Sequence, residues 1–431
     1  MEFKINYGKE IYQIDRKKIS LINDLMIKKF LFYCLIGLPI LIDAQNNPFK
    51  NYVDTLTSLS FFGRGYVNEG HLHAAKYIKK EFENLGLKPI NGFYEQFYPI
   101  NVNTFPKECI VRFCDSVLKP GFDFIVHPAS GSSLGSFKII PFHIGDQVMD
   151  VFEDNGIFYL DVSAVNDVDS LSFYNQLKLT LANVAPVIWY SKNKLTWSVS
   201  NLEYKFPIIQ TNKKIRGCDE VFLNIKNEFK SNLITQNVFG KIQGRRKKSL
   251  VITAHYDHLG MMGSTLFPGA NDNASGISLL LNLAKYFSVK KNKYSVVFTC
   301  FGAEEIGLLG SKYFVDNPVL DLNKIKFLLN LDLVGTGEEG IAIVNAKNQQ
   351  KYIKRITRIN NKYNFFEKVK LRGQSPNSDH YWFGQHMVPS IFVYTLGGVA
   401  HYHDPLDRSE TLMLTKTEQL MKLVVNFFQT F

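Results

Sequence analysis

The sequence predicts an α/β fold: a three-layer α/β/α sandwich around a mixed, mostly parallel central sheet, with a smaller, mostly-β domain inserted into it. Three observations carry that expectation. From residue 237 onward, short apolar runs of strand length alternate with helix-length amphipathic runs, and strands alternating with helices form a sheet covered on both faces. From residue 109 to about 219 the pattern changes to short β-type runs broken by Gly, Asn and Asp. Finally, 431 residues with 45% hydrophobic and 14% aromatic content can bury a large core as well as an insertion, which excludes a chain dominated by disorder.

At the amino end, Lys28 and Lys29 precede an apolar run over 30–42, which gives way to Asp43, Ala44 and polar Gln45. This is the layout of a secretory signal peptide, and the run is short for a membrane-spanning helix. Such a segment starts close to its charged region, so Met26 reads as the natural start, residues 1–25 as a mis-called extension and residues 26–44 as the signal. An uncut membrane anchor is the competing reading. Export implies a secreted or periplasmic protein with no stable membrane association once the signal is removed.

Residues 47–59 and 70–85 then read as helices; in the second, Ala74, Ala75, Ile78, Phe82 and Leu85 recur at helical spacing before Gly86 stops it. These belong to a first part of the main domain, 45–108. The insertion, 109–225, holds runs such as 122–126, 156–162 and 187–189. In an oxidising compartment one disulfide among Cys109, Cys114 and Cys218 is possible, with the pairing left open, while Cys300 lies in an apolar run and reads as a buried thiol. Gly131 to Gly135 formally matches a serine-hydrolase nucleophile elbow around Ser133. The residues before it do not form the required strand, and those after it read as another strand, not a helix.

The main part, 226–431, carries the chemistry. Expected strands cover 250–254, 294–301, 327–333 and 389–395; expected helices cover 274–287, 307–315 and 416–428. His, Asp and Glu recur where these strands end. His255, Asp257 and His258 follow the first strand, Asp272 opens the first helix, and Glu304 and Glu305 follow the second strand. Asp332 closes the third, and His403 follows the last through a loop. In such folds the carboxyl ends of the strands gather at one crevice, so five imidazole or carboxylate groups can converge. Two histidines and three carboxylates suit two metal ions sharing one bridging carboxylate, about 3.5–4 Å apart. The adjacent pair Glu304 and Glu305 offers one ligand and one base. Histidine, aspartate and glutamate singly are more often structural than functional; here it is their joint order that points to a metal site.

The segments VITAHYDHLG (251–260), PGANDNASG (268–276), FGAEEIGLLGS (301–311) and NLDLVG (330–335), with Asp379-His380 and the tail from His403 to Asp407, resemble the co-catalytic dizinc aminopeptidase family. That family includes aminopeptidase Y, aminopeptidase S and glutamate carboxypeptidase-like zinc exopeptidases, with glutaminyl cyclases among its relatives. The likeness is close from residue 237 to the end and loose over 47–109, and the insertion looks like a protease-associated domain. The resemblance implies two Zn²⁺ per chain: His255 and Asp332 on one, Glu305 and His403 on the other, Asp272 bridging, and Glu304 as general base. It also implies that Asp257 accepts the second ring N–H of His255, that Tyr402 steadies the oxyanion, and that Asp407 and Asp379 stand behind the ligands. Asp407 would support His403 as Asp257 supports His255. A cis peptide at Asp272-Asn273 is a further expectation from relatives.

The implied substrate is a peptide or protein N-terminus. Glutaminyl-peptide cyclase and carboxypeptidase are the enzymatic alternatives on the same scaffold, the latter needing an Arg or Lys for an α-carboxylate. A non-catalytic, receptor-like relative is disfavoured by the retention of all five ligands. The net charge of +11 does not indicate nucleic acid: its densest clusters, Arg245 to Lys248 and Lys290 to Lys293, fall at turns beside strands and read as solvated.

Overall fold

Eight strands form the central sheet: β1 (Glu95–Thr104), β2 (Glu228–Ile242), β3 (Arg246–His255), β4 (Tyr294–Phe301), β5 (Ile325–Leu331), β6 (Gly340–Val344), β7 (Val369–Leu371) and β8 (Ser390–Leu396). The computed structural model describes residues 47–143, 145–146, 154–398 and 400–431; the extension, the signal-like run and its cut lie outside them. The chain divides into units 1–51 and 52–431. Of the first, the described residues are 47–51, the start of the helix Pro48–Leu56. The sheets and the candidate site belong to the second.

The strand order is β1-β2-β4-β3-β5-β8-β6-β7. The inner four, β4, β3, β5 and β8, run parallel, so their carboxyl ends open on one side. Inner parallel strands are covered on both faces and need apolar residues at successive positions. Leu250, Val251, Ile252 and Ala254 of β3 satisfy this, as do Val296, Val297 and Phe298 of β4, all buried. One face is covered by the helix Ser275–Ser288, buried over nearly all of its length because the helix Thr417–Gln429 packs on it in turn. Truncating Leu280 there to Ala would cost about 2–5 kcal/mol. On the other face, Phe314 and Phe383 from the helices Leu309–Asp316 and His380–Gln385 meet Phe301 of β4 at 5.7 and 5.9 Å between ring centroids. The result is the three-layer mixed α/β architecture expected. Among the described residues no helix is long and apolar enough to cross a membrane.

β1 and β2 flank the insertion and pair antiparallel, closing it off at the register Thr104↔Glu228. Between them lies a second eight-stranded sheet running from Cys109 to Ile225. Not all of it is strand: Val168–Leu181 is a helix, with Leu171, Tyr174, Lys178 and Leu181 on its inner side and the Asp167 carboxylate accepting the Ser170 N–H at 2.8 Å. Cys114 and Cys218 form a disulfide within this domain, leaving Cys109 and Cys300 as buried thiols. Burial pushes Cys109 up to about 12, which keeps it unreactive. Ser133, from the formal elbow motif, opens the strand Ser133–Pro141 and has no helix after it. One apolar cluster joins the two sheets' surroundings: Phe105, Leu259, Met262 and Phe267 pack with Phe124, Ile209 and Trp197.

Candidate metal centre

The parallel strands decide where the site forms. His255 is the last residue of β3, Asp332 immediately follows β5, and Glu304 and Glu305 lie in the turn after β4. Asp272 sits in a wide turn over Ala270–Ala274, ahead of the helix that begins at Ser275, and its peptide bond to Asn273 is cis. Gly269 is required in this turn: its φ is +62°, and a Cβ there would fall on the Asp272 carbonyl and the His258 ring. His403 arrives on the loop after β8.

These groups meet. His255 Nε2 lies 3.3 Å from both Asp272 Oδ1 and Asp332 Oδ1. His403 Nε2 lies 3.1 Å from Asp272 Oδ2 and 3.2 Å from Glu305 Oε2. Asp272 thus faces one histidine with each oxygen. Donor atoms of His255, Glu304 and Asp332 lie within 4.8 Å of one another, and so do those of His255, Asp272 and Glu305. Glu304 therefore stands as close to the cluster as the residues expected to be ligands. His255, Asp272, Glu304, Glu305 and Asp332 line one cavity of about 300 Å³, together with Tyr402, Arg372, Asn377 and Tyr394.

Crowded buried carboxylates need compensating positive charge. Burial alone would lower His255, yet Glu304, Asp332 and Asp272 hold it well above its ordinary value. His403 is likewise held up to about 11 against burial, chiefly by Glu305 and Asp272. Glu305 is drawn down to about 2 against burial by His403 and His258. Glu304 goes the other way: burial, with Asp379, Asp332 and Glu305, pushes its carboxyl well above the carboxylate range against the pull of His255. A donor set of imidazole nitrogen and carboxylate oxygen, with protonated imidazoles supplying the missing charge, is the set that a divalent cation such as zinc fits.

The supports behind the donors differ from those expected. Asp257 does not take the His255 ring N–H on its carboxylate, which is 3.9 Å away; the acceptor is its own backbone carbonyl at 3.2 Å. The Asp257 carboxylate is engaged instead by the N–H groups of Glu304 and Glu305, at 3.1 and 3.3 Å, and so fixes the turn carrying both. Asp407 does not reach His403 either. It accepts the N–H groups of Asn271 and Asp272, at 2.8 and 3.0 Å, because the turn before the cis peptide leaves those donors unpaired in the backbone. The partner of His403 Nδ1 is the carbonyl of Trp197, in the insertion, at 2.8 Å. Asp379 is buried, and burial pushes it up to about 7 against the pull of His255 and the Ser311 hydroxyl. The residue bonded to Asp332 is its neighbour Ser378, whose hydroxyl donates at 2.9 Å and accepts from Asn330 at 2.7 Å. Tyr402 stacks on His403, ring centroids 3.8 Å apart.

Two further residues support the site: His258, which the sequence already places after the first strand, and Arg64, which escaped the sequence reading. His258 Nδ1 donates to Glu305 Oε1 at 2.7 Å. Arg64, wholly buried, sends its guanidinium to the carbonyls of Tyr256, Pro268, Gly269 and Asp272 at 2.7–3.1 Å, tying together the turns that hold His255 and Asp272. The only signal for His258 was its place beside His255, and Arg64 had none, since its partners lie about two hundred positions away.

Residues 237–428 match peptidase family M28. Aminopeptidase YwaD of Bacillus subtilis (strain 168) is 28% identical over 275 residues, covering 59% of this chain and 59% of that protein. Leucine aminopeptidase 2 of Trichophyton equinum is 34% identical over 122 residues, covering 28% of this chain and 23% of that protein. The chain thus spans about three-fifths of the length of the first relative and under a quarter of the second. Among solved structures, BSAP, a zinc aminopeptidase from Bacillus subtilis, superposes with a TM-score of 0.67 at 20% identity, covering 89% of this chain and 94% of that one. A peptidase M28 precursor from Shewanella amazonensis SB2B gives 0.65 at 15%, covering 89% and 92%. At those identities the shared property is the fold. The stretch that matches that family, residues 237–428, holds all five candidate ligands and Glu304.

Proposed function

We propose that the chain is an exported zinc exopeptidase that removes N-terminal residues from peptides. The observation that carries this reading is the convergence of two imidazoles and three carboxylates from five connections, with a further carboxylate, Glu304, lining the same cavity. His255 and Asp332 would hold one zinc, Glu305 and His403 a second, and Asp272, facing both histidines, would bridge them; its two-sided disposition supports two ions over one. Zinc bound there would polarise the scissile carbonyl and acidify a water. Glu304, its basicity raised by burial and by neighbouring carboxylates, takes the water's proton and hands it to the leaving amine. Tyr402, which lines the cavity, donates to the carbonyl oxygen as charge develops there. The carboxylate oxygens at the cavity rim favour a substrate ammonium, which sets the first carbonyl over the reacting groups. The signal-like run over 26–44 supports export, with a mature start near Gln45.

A metal count made beside hydrolysis of matched peptides tests the reading. About two zinc per chain are expected, and acetylating the substrate N-terminus should lower kcat/KM at least about 10²-fold, one desolvated charged contact being worth roughly 2–5 kcal/mol. Equal cleavage of blocked and free peptides, or cyclisation of N-terminal Gln without hydrolysis, would show that the aminopeptidase assignment is wrong.

A further inference from the structure

Arg372 stands in the wall of the same cavity as the candidate ligands. Its backbone is fixed from both sides: its N–H donates to the Ile343 carbonyl at 2.8 Å, and its carbonyl accepts from Ala346 at 3.0 Å. The side chain is held as well. Nη1 donates to the Tyr394 hydroxyl at 2.9 Å, and the guanidinium carbon lies 5.8 Å from that ring's centre. This anchor, on β8, keeps the cation from collapsing onto the cluster around Asp332 and Glu304. Among the described residues no carboxylate lies within ion-pair distance of Arg372. A guanidinium has five donors in a rigid fork that matches a carboxylate; the bond to Tyr394 leaves most of them free to face the cavity.

We propose that Arg372 is a specificity-determining residue that pairs with a carboxylate of the substrate. The inference rests on the exopeptidase reading and adds the substrate class to it: peptides whose own carboxylate lies near the scissile bond. The cavity, about 300 Å³, is at the small end for a ligand pocket. A substrate whose first carbonyl sits over the ligand cluster would therefore keep its neighbouring groups within reach of the wall. Two sources offer the same chemistry: the side chain of an N-terminal Asp or Glu, or the α-carboxylate of a dipeptide. A bidentate charge-assisted pair suits either.

Two matched substrate pairs separate the sources, assayed with the zinc-loaded full chain: a Glu anilide against the Gln anilide, and Leu-Gly against Leu-Gly-amide. The expected result is a kcat/KM ratio favouring the carboxylate by about 10- to 100-fold in at least one pair. Arg372→Gln should bring that ratio to near one, and Arg372→Lys, which keeps the charge and loses the fork, should retain part of it. A ratio of one or less in both wild-type pairs, or a preference that survives in Arg372→Gln, overturns the assignment while leaving the exopeptidase reading intact. Absence of hydrolysis from all four substrates overturns both.

Discussion

The carbonyl oxygen of Trp197 lies 2.8 Å from Nδ1 of His403, and the Trp197 N–H donates back to the His403 carbonyl at 3.0 Å. A residue of the insertion thus sets the tautomer and ring orientation of a candidate ligand 206 positions away, leaving Nε2 toward the cluster. The Trp197 ring is itself immobilised, packed 4.7 Å from Phe267 with its indole N–H on the Val126 carbonyl at 2.8 Å. Three residues earlier, Lys194 pairs with Asp404 at 2.7 Å and donates to the carbonyls of Ala400 and Tyr402. The insertion clamps the loop that delivers the last ligand.

Loosening that clamp should weaken the metal site more than the fold. Lys194 is partly exposed, so its ion pair adds under about 1 kcal/mol to stability. Lys194→Met is expected to lower zinc affinity about 10-fold, with Tm nearly unchanged, because supports behind a ligand typically contribute 10- to 100-fold. Metal titration beside thermal unfolding reads both quantities. Unchanged affinity would mean that the loop is held without the insertion.

Removing the metals should destabilise the chain as well as silence it. With zinc gone, Asp272, Glu305 and Asp332 face one another in a buried cluster with only imidazoles between them. Chelation is expected to abolish hydrolysis and lower Tm, with Tm rising again with free zinc concentration as mass action requires. A Tm indifferent to chelator and to added zinc would contradict a metal held by these residues.

The insertion carries a pH-dependent weakness of its own. Burial holds Lys178 down to about 8, its ammonium 4.2 Å from the centre of the Trp189 ring. A folded value below the ordinary 10.5 means that the fold disfavours the proton. The cost is full below about pH 8 and fades as pH rises toward 10.5. Lys178→Met should therefore stabilise the protein by about 1–3 kcal/mol at pH 7, and by less at pH 10. Denaturant unfolding at both pH values decides; a gain that grows with pH would reverse the argument.

The main domain was legible because parallel strands and helices leave different periods in the sequence, and because the donors sit where β3, β4, β5 and β8 end. What could not be read was any contact made at long sequence distance. The family resemblance sets Asp407 behind His403, whereas the chain turns so that its carboxylate meets the backbone at Asp272. Asp257 was matched to His255, but the N–H groups of Glu304 and Glu305 compete successfully for its oxygens. Trp197 and Arg64 look ordinary in sequence, and Arg372 is one of several arginines that the sequence leaves unplaced; only the fold brings the three to the site. The helix Val168–Leu181 was missed although its apolar positions follow a three-to-four spacing, because the surrounding short strands dominated that stretch.

The division of labour between Glu304 and its neighbour is the claim on which the mechanism turns, since Glu304 lies near enough to the cluster to be a ligand itself. Glu304→Gln, assayed for bound zinc and for turnover of a free-amine peptide, tests it most directly. If Glu304 moves the proton, the variant keeps about two zinc per chain and its kcat falls at least about 10²-fold. Near-normal turnover with both metals retained would remove the proton-transfer role, and loss of zinc together with activity would make Glu304 a ligand and not the base.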